Sequence, residues 1–348
     1  MSLSFTSIIM YLLLIMTTPE AYWQYNVSDG LVRYGMPVVF AIGLVGNTLV
    51  VATTLQKKVR QKPYALGLAI LALVDMTFLI INMIQRYIVW VFGPDLPAKF
   101  FFSKTACQLH AYIGVVVTQI PPWTIVLVTC ERVISVNVPF KAKTWVTRKR
   151  IVLIWLCIVA IIMISNIWPF FVVQSAGHDS LGLPFRQCTM PSATVNSIIY
   201  HVTITTLSCL LPFLLILSGN LGIIYGLRKA IKRRKAMVQG ANQENVTRNI
   251  DATNMVLTVT MMYLILMLPL ALYKVIYDIN SQVFASDRPF GMAYNYMFAH
   301  FFGSFMHNCN SAINFILYAL AGRQFRESFK KLFQCKKLTV SNIHVRGN

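Results

Sequence analysis

Charge is what this chain of 348 residues has least of: 12% of its positions are Asp, Glu, Lys or Arg, about half the roughly 25% usual in soluble domains. So few charges cannot cover the surface of one or two soluble domains of this length, which excludes a soluble globular enzyme. A hydrophobic share of 56% excludes a disordered chain. Acids are scarcer still, 11 against 31 Lys and Arg, for a net charge of +20. That surplus would suit nucleic acid, but the basic residues stand in short runs between long apolar stretches. The pattern excludes a nucleic-acid-binding domain and reads instead as loops facing anionic lipid. Seven cysteines are too few for a disulfide scaffold, and Cys130, Cys157, Cys209 and Cys309 lie inside apolar stretches as small packing residues. There is no His-Glu-x-x-His, no Gly-x-Ser-x-Gly and no phosphate loop, and the six His are scattered. Neither catalysis, a cofactor nor a metal is indicated. What remains is an integral membrane protein.

A membrane helix needs about 20 mostly apolar residues, because the hydrocarbon layer is roughly 30 Å thick. Seven segments meet that length, near 33–56, 64–90, 105–136, 150–172, 195–227, 250–277 and 293–320. Basic runs bound them: Lys57, Lys58, Arg60 and Lys62; Arg148-Lys149-Arg150; Arg228-Lys229 with Lys232-Arg233-Arg234-Lys235; and Arg323, Arg326, Lys330, Lys331, Lys336 and Lys337. An odd number of spans puts the termini on opposite sides. With the N-terminus outside, most of the 31 basic residues face the cytosol, so the positive-inside rule selects N-out, C-in. The expected fold is an all-α membrane protein, a seven-helix bundle over 33–320, with an extracellular N-terminus over 1–32 and a cytoplasmic tail over 321–348. The apolar run 8–16 is too short to span a bilayer and has the length of a signal-peptide core, yet no basic residue precedes it and no small-residue cleavage site follows. A leader over 1–21 and an uncleaved terminus both stay open. The sequon Asn26-Val27-Ser28 falls outside and is the expected glycosylation site; Asn245-Val246-Thr247 falls in the cytosol.

Polar side chains at membrane depth are expensive, so each is a functional candidate. Asp75 stands mid-way in the second segment and Asn47 in the first; the seventh carries His300, His307, Asn310 and Asn314. His300, His307 and Asn314 are seven apart and share one helix face. Such groups could form a static network tying helices together. A carboxylate with several amides from three helices fits better a hydrated interior in a bundle that moves. At the inner end of the third segment stands Glu131-Arg132-Val133. In the tail, Phe325, Phe329, Leu332 and Phe333 make an amphipathic stripe opposed by cations, which lies in the membrane interface. Cys335 follows, where an acyl chain could add a second anchor. Outside, Cys107 and Cys188 can form one disulfide in the oxidising compartment.

This constellation resembles the rhodopsin-like (class A) G-protein-coupled receptors over about residues 33–335. Asn47, Asp75 and Trp155 match the family's polar and Trp landmarks of segments 1, 2 and 4, and Glu131-Arg132-Val133 resembles its Asp/Glu-Arg-Tyr triplet. Pro212 and Pro269 match the kink prolines of segments 5 and 6. Asn314-Phe315-Ile316-Leu317-Tyr318 resembles Asn-Pro-x-x-Tyr, followed by the interfacial helix 8. The chain departs from the pattern where Phe315 replaces the motif's Pro, Met267 the usual toggle Trp, and Asn220 the usual segment-5 Tyr. Pro121 stands where a sodium-coordinating Ser is common, so the resemblance does not carry a sodium site over to Asp75. The resemblance implies an extracellular ligand, a heterotrimeric G protein and arrestin as partners, and residence in the plasma membrane. It implies that Arg132 pairs with Glu131 at rest and turns to the G protein when segment 6 moves outward.

The ligand is narrowed by what is missing. Aminergic receptors carry an Asp eighteen residues before the triplet's Arg, where this chain has Gly114; opsins carry a retinal-linking Lys six residues before the segment-7 Asn, where it has Asn308. A monoamine and retinal are both disfavoured. The outer cavity is instead expected to present Arg86, His201, Lys274, His300, Ser304 and His307. Arg86 and Lys274 would receive a carboxylate or carbonyl-rich ligand, with the histidines as hydrogen-bond partners; both cations could equally snorkel to headgroups. The second loop, Val138-Pro139-Phe140-Lys141-Ala142-Lys143-Thr144, and the short third loop are most similar to invertebrate neuropeptide receptors of the FMRFamide-receptor-like group. A lipid or small carboxylate is the alternative ligand. A small-solute transporter is the alternative class, against which the absence of repeated halves speaks.

Overall fold

The computed structural model describes residues 23–56, 59, 63–92, 104–172, 174–178, 184–189, 204–236, 242–283 and 290–334. Seven long helices form the bundle. They are α1 (Trp23–Thr54), α2 (Pro63–Phe92), α3 (Lys104–Asn137), α4 (Arg148–Ser165), α5 (Leu211–Ala236), α6 (Asn242–Val283) and α7, which runs Phe290–Ala312 and resumes as Asn314–Ala321. An amphipathic helix, α8 (Arg323–Gln334), follows. Among the described residues six helices, α1 to α6, are long and apolar enough to cross a membrane. The seventh is as long, but its break at Ile313 and its His, Asn and Ser residues dilute its apolar character. The long axis of α3 runs through the middle, touching α2, α4, α5 and α6, while α1 lies between α2 and α7. At one end of the bundle are Arg148-Lys149-Arg150, Arg228-Lys229 and α8, here the basic end. At the other lies a two-stranded antiparallel hairpin, β1 (Gln174–His178) and β2 (Pro184–Thr189), with Ser175 opposite Cys188.

Where backbone donors are missing, the helices deform locally. Pro212 has no N–H to offer, and the turn before it, Thr206–Leu210, is wound as a π-helix in which Leu211 N–H bonds to Thr206 O. In that register the carbonyl of Leu207 would need the amide of Pro212, which does not exist. Trp123 of α3 supplies the donor: its indole N–H reaches Leu207 O at 2.9 Å. In α7 the break at Ile313 occurs without any proline, and the rings of Phe315 and Phe329 meet at 5.1 Å, which ties the resumed helix to α8.

Three features differ from the sequence expectation. First, α1 starts at Trp23, ten residues before the apolar segment, because Trp23, Gln24 and Tyr25 find partners on α2 and α7. Second, α5 and α6 continue as helix to Ala236 and from Asn242, so most of the basic third loop is helical. Third, the all-α expectation did not include the β hairpin. The lipid-facing side of α4 is apolar and bare, with Leu153, Ile161 and Ile164 each more than half exposed.

Candidate functional site

Asp75 is fully buried in the bundle, and Asn314 Nδ2 donates to its Oδ2 at 2.6 Å. One turn away Asn47 Nδ2 donates to the carbonyl of Ser311 at 2.8 Å. The two bonds tie α2 and α1 to α7 on either side of its break. Asn310 and Tyr318 are buried on the same helix, Tyr318 against Val50, Leu68, Met255 and Phe325. Thus Asn47, Asp75, Asn310, Asn314 and Tyr318, scattered in sequence, come together as one polar seam. Among the described residues, Asn47 Oδ1, Asn310 Oδ1, Asn314 Oδ1 and the Tyr318 hydroxyl are buried with no hydrogen-bond partner. A buried polar atom left so costs about 1–3 kcal/mol, so the seam is polar beyond what helix packing alone can satisfy.

At the basic end, Arg132 and Glu131 are each 5% exposed, and Arg132 Nη2 lies 3.4 Å from Glu131 Oε1. Beneath Tyr318 a shallow crevice lined by Thr54, Leu68, Asp251, Met255 and Phe325 opens between α1, α2, α6 and α8. The α5–α6 contact carries a buried bond, Thr260 Oγ1 to Asn220 Oδ1 at 2.7 Å.

Toward the hairpin end, Lys274 is half-buried on α6. Its neighbour Tyr273 stacks on His300 of α7, ring centres 5.2 Å apart. Ser304 and His307 lie deeper; both are buried, and His307 packs on Phe78 of α2 at 4.5 Å. The side chain of Arg86, and the whole of His201 and Cys335, lie outside the described residues. Cys107 is disulfide-bonded, and the strand carrying Cys188 packs against α3, while the Cys188 side chain is outside the described residues. Asn26 is exposed on the first turn of α1. Pro212 and Pro269 sit within α5 and α6 as expected.

Several structural residues were missed. Gln119 and Asn166, both fully buried, exchange two amide bonds of 3.0 and 2.9 Å between α3 and the end of α4. The rule that singled out Asp75, polarity at membrane depth, would have found both. Trp123 and Thr260 gave no such signal, because an indole or a threonine in a helix is ordinary.

The model of the "7 transmembrane receptor (rhodopsin family)" matches residues 46–318, more than half of the chain. The protein belongs to the rhodopsin family of seven-transmembrane receptors. Members are signalling receptors, so this is a multi-pass membrane receptor and not an enzyme. The chain is 25% identical over 311 residues to neuromedin-U receptor 2 of Mus musculus, covering 85% of this chain and 73% of that one. It is 24% identical over 320 residues to the sex peptide receptor of Drosophila melanogaster, covering 86% and 72% respectively. The Gq-coupled rhodopsin of Mizuhopecten yessoensis is 23% identical over 332 residues, covering 90% of this chain and 61% of that one. The similarity to peptide receptors agrees with Gly114 and Asn308 in the diagnostic positions.

Proposed function

We propose that this receptor sits in the plasma membrane with residues 1–32 outside and 321–348 in the cytosol, binds a peptide of the neuropeptide class, and activates a heterotrimeric G protein. The FMRFamide-receptor-like subgroup is the reading its second loop supports, and arrestin is the further partner of the same cytosolic end. The observation that carries signalling is the buried Glu131–Arg132 pair at the foot of α3. A buried charge pair there adds little stability, but it keeps a guanidinium ready at the basic end for release when α6 swings outward. Arg132, Glu131, Asn47, Asp75, Asn310, Asn314, Tyr318, Pro212 and Pro269 then form the relay. Arg86, His201, Lys274, His300, Ser304 and His307 form the ligand end, the disulfide joins Cys107 to Cys188, Asn26 carries glycan and Cys335 an acyl chain.

The energetic requirement is definite. Moving the active population from 1% to 99% takes about 5.5 kcal/mol of differential ligand affinity. The testing experiment expresses the receptor with a promiscuous G-protein reporter and screens peptide and lipid libraries. Agonism by a peptide that is lost in Arg132→Ala at equal surface expression is the expected result; an undiminished response in that variant overturns the relay. A second reading, a lipid or small carboxylate ligand, draws on the half-buried Lys274 of α6, and Lys274→Ala would then lower potency for the lipid arm of the screen.

A further inference from the structure

Helix α5 is held to α3 and to α6 by different means. On the α3 side the fixings run along most of its membrane length. Trp123 donates to Leu207 O in the π-helical turn ahead of α5. Further down, the two backbones close up at glycines, as small residues allow between membrane helices. A Cβ on Gly219 would lie 2.5 Å from Thr129 Cγ2, and one on Gly226 would lie 2.6 Å from Val136 Cγ1. A methyl of α3 thus fills each notch, and α5 cannot slide along α3 without lifting off it. At the foot, the solvent-exposed Asn137 supplies a polar tie. Its amide donates to Val133 O of its own helix at 3.0 Å and to Gly222 O of α5 at 3.1 Å. From Leu207 to Gly222 these fixings span about 22 Å of helix, at about 1.5 Å per residue. On the α6 side the buried link is a single hydroxyl, Thr260 Oγ1 to Asn220 Oδ1 at 2.7 Å, beside a 3.4 Å contact from Asn220 Nδ2 to Met261 Sδ.

The two seams differ in what their parting would strand. A hydroxyl carries one hydrogen, and Thr260 Oγ1 also lies 3.0 Å from Val256 O and 3.1 Å from Leu257 O of its own helix. When α6 moves off, Thr260 turns that hydrogen to α6 and no donor is left bare. Parting α3 from α5 offers no such exchange. Leu207 O would lose the indole that replaces the missing amide of Pro212, and the notches at Gly219 and Gly226 would open as voids whose walls have no contact partners. The weaker seam is therefore α5–α6. We propose that Asn137 is a positioning residue for signalling: it keeps the lower half of α5 seated on α3, so that α6 opens away from a fixed α3–α5 pair and does not carry α5 with it. The inference rests on the outward movement of α6 proposed above and names the seam at which it occurs. The G protein then meets a groove with one moving wall and one fixed wall.

Two cysteine pairs test this in the full-length receptor, in reporter cells read both for basal signal and with the library of short random peptides as probe. Thr129→Cys with Gly219→Cys joins α3 to α5, since a Cβ on residue 219 would lie 3.7 Å from Thr129 Cβ, inside the disulfide range of about 3.5–4.5 Å. Asn220→Cys with Thr260→Cys joins α5 to α6, and peptide mass confirms each bond. After oxidation the α3–α5 pair should respond as the parent does, while the α5–α6 pair should lose its response until reductant is added. Asn137→Ala should lower the maximal response several-fold at equal surface expression. Adding the α3–α5 pair to that variant should restore it with oxidant and lose it again with reductant, on receptors already at the surface, which a role in folding alone would not produce. Loss of response in the oxidised α3–α5 pair, or a parent-like Asn137→Ala, would overturn the proposal and leave the outward movement of α6 standing. Full response from both oxidised pairs would overturn the two together, because α6 would then signal without leaving α5.

Discussion

Single residues carry unequal weight in this receptor, and Trp123 shows why. Its indole stands in for an amide that Pro212 cannot provide, by donating to Leu207 O. Trp123→Phe keeps the ring but strands that carbonyl, so the purified receptor should lose about 1–3 kcal/mol of stability, read as a lower melting temperature; an unchanged melting curve would mean that the carbonyl finds another donor. Gly303 is a second such position. A Cβ there would lie 2.8 Å from Leu270 Cα, backbone against backbone, beside the Pro269 bend. Gly303→Ala should therefore push α6 and α7 apart and cost roughly 1–3 kcal/mol, seen as reduced thermal stability. If it melts like the parent, the close approach of the two helices at Gly303 contributes nothing to stability.

At the scale of elements, the α5–α6 contact governs how easily α6 leaves. Thr260 and Asn220 share a buried bond of 2.7 Å in place of the family's usual tyrosine chemistry on α5. Thr260→Val preserves shape and removes the donor, forfeiting about 0.5–1.5 kcal/mol that holds the two helices together. Agonist-independent signalling should rise severalfold, and a flat basal signal would show that the bond persists in both states. The elements were largely legible beforehand, since seven apolar runs and their basic borders follow from the cost of charge in hydrocarbon. What could not be read were the ends. The extension at Trp23 and the helical continuation of α5 and α6 depend on partners in other helices or on chain beyond the membrane, where apolarity gives no signal. The seam was legible for the same reason as the spans: Asp75, Asn47 and Asn314 break the apolar rule. His307 was legible as a polar residue but not as a ring packed on Phe78.

The whole molecule is asymmetric in charge, with basic residues at one end and the β hairpin at the other. That asymmetry makes a topological prediction. Tags fused to the two termini should be reached by antibody on intact cells only at the N-terminus, and at the C-terminus only after permeabilisation; simultaneous access would reject the orientation. Between the two ends runs α7, whose course is interrupted at Ile313 although no proline stands there. Phe315 therefore keeps an amide hydrogen that the family's usual imino acid would lack. The acceptor it would use in an unbroken helix is the carbonyl of Ser311, now held by Asn47. In this protein the oxygen that would close the turn across the interruption is also the one by which α7 is fastened to α1, so the course of the helix and its attachment to its neighbour meet at a single atom.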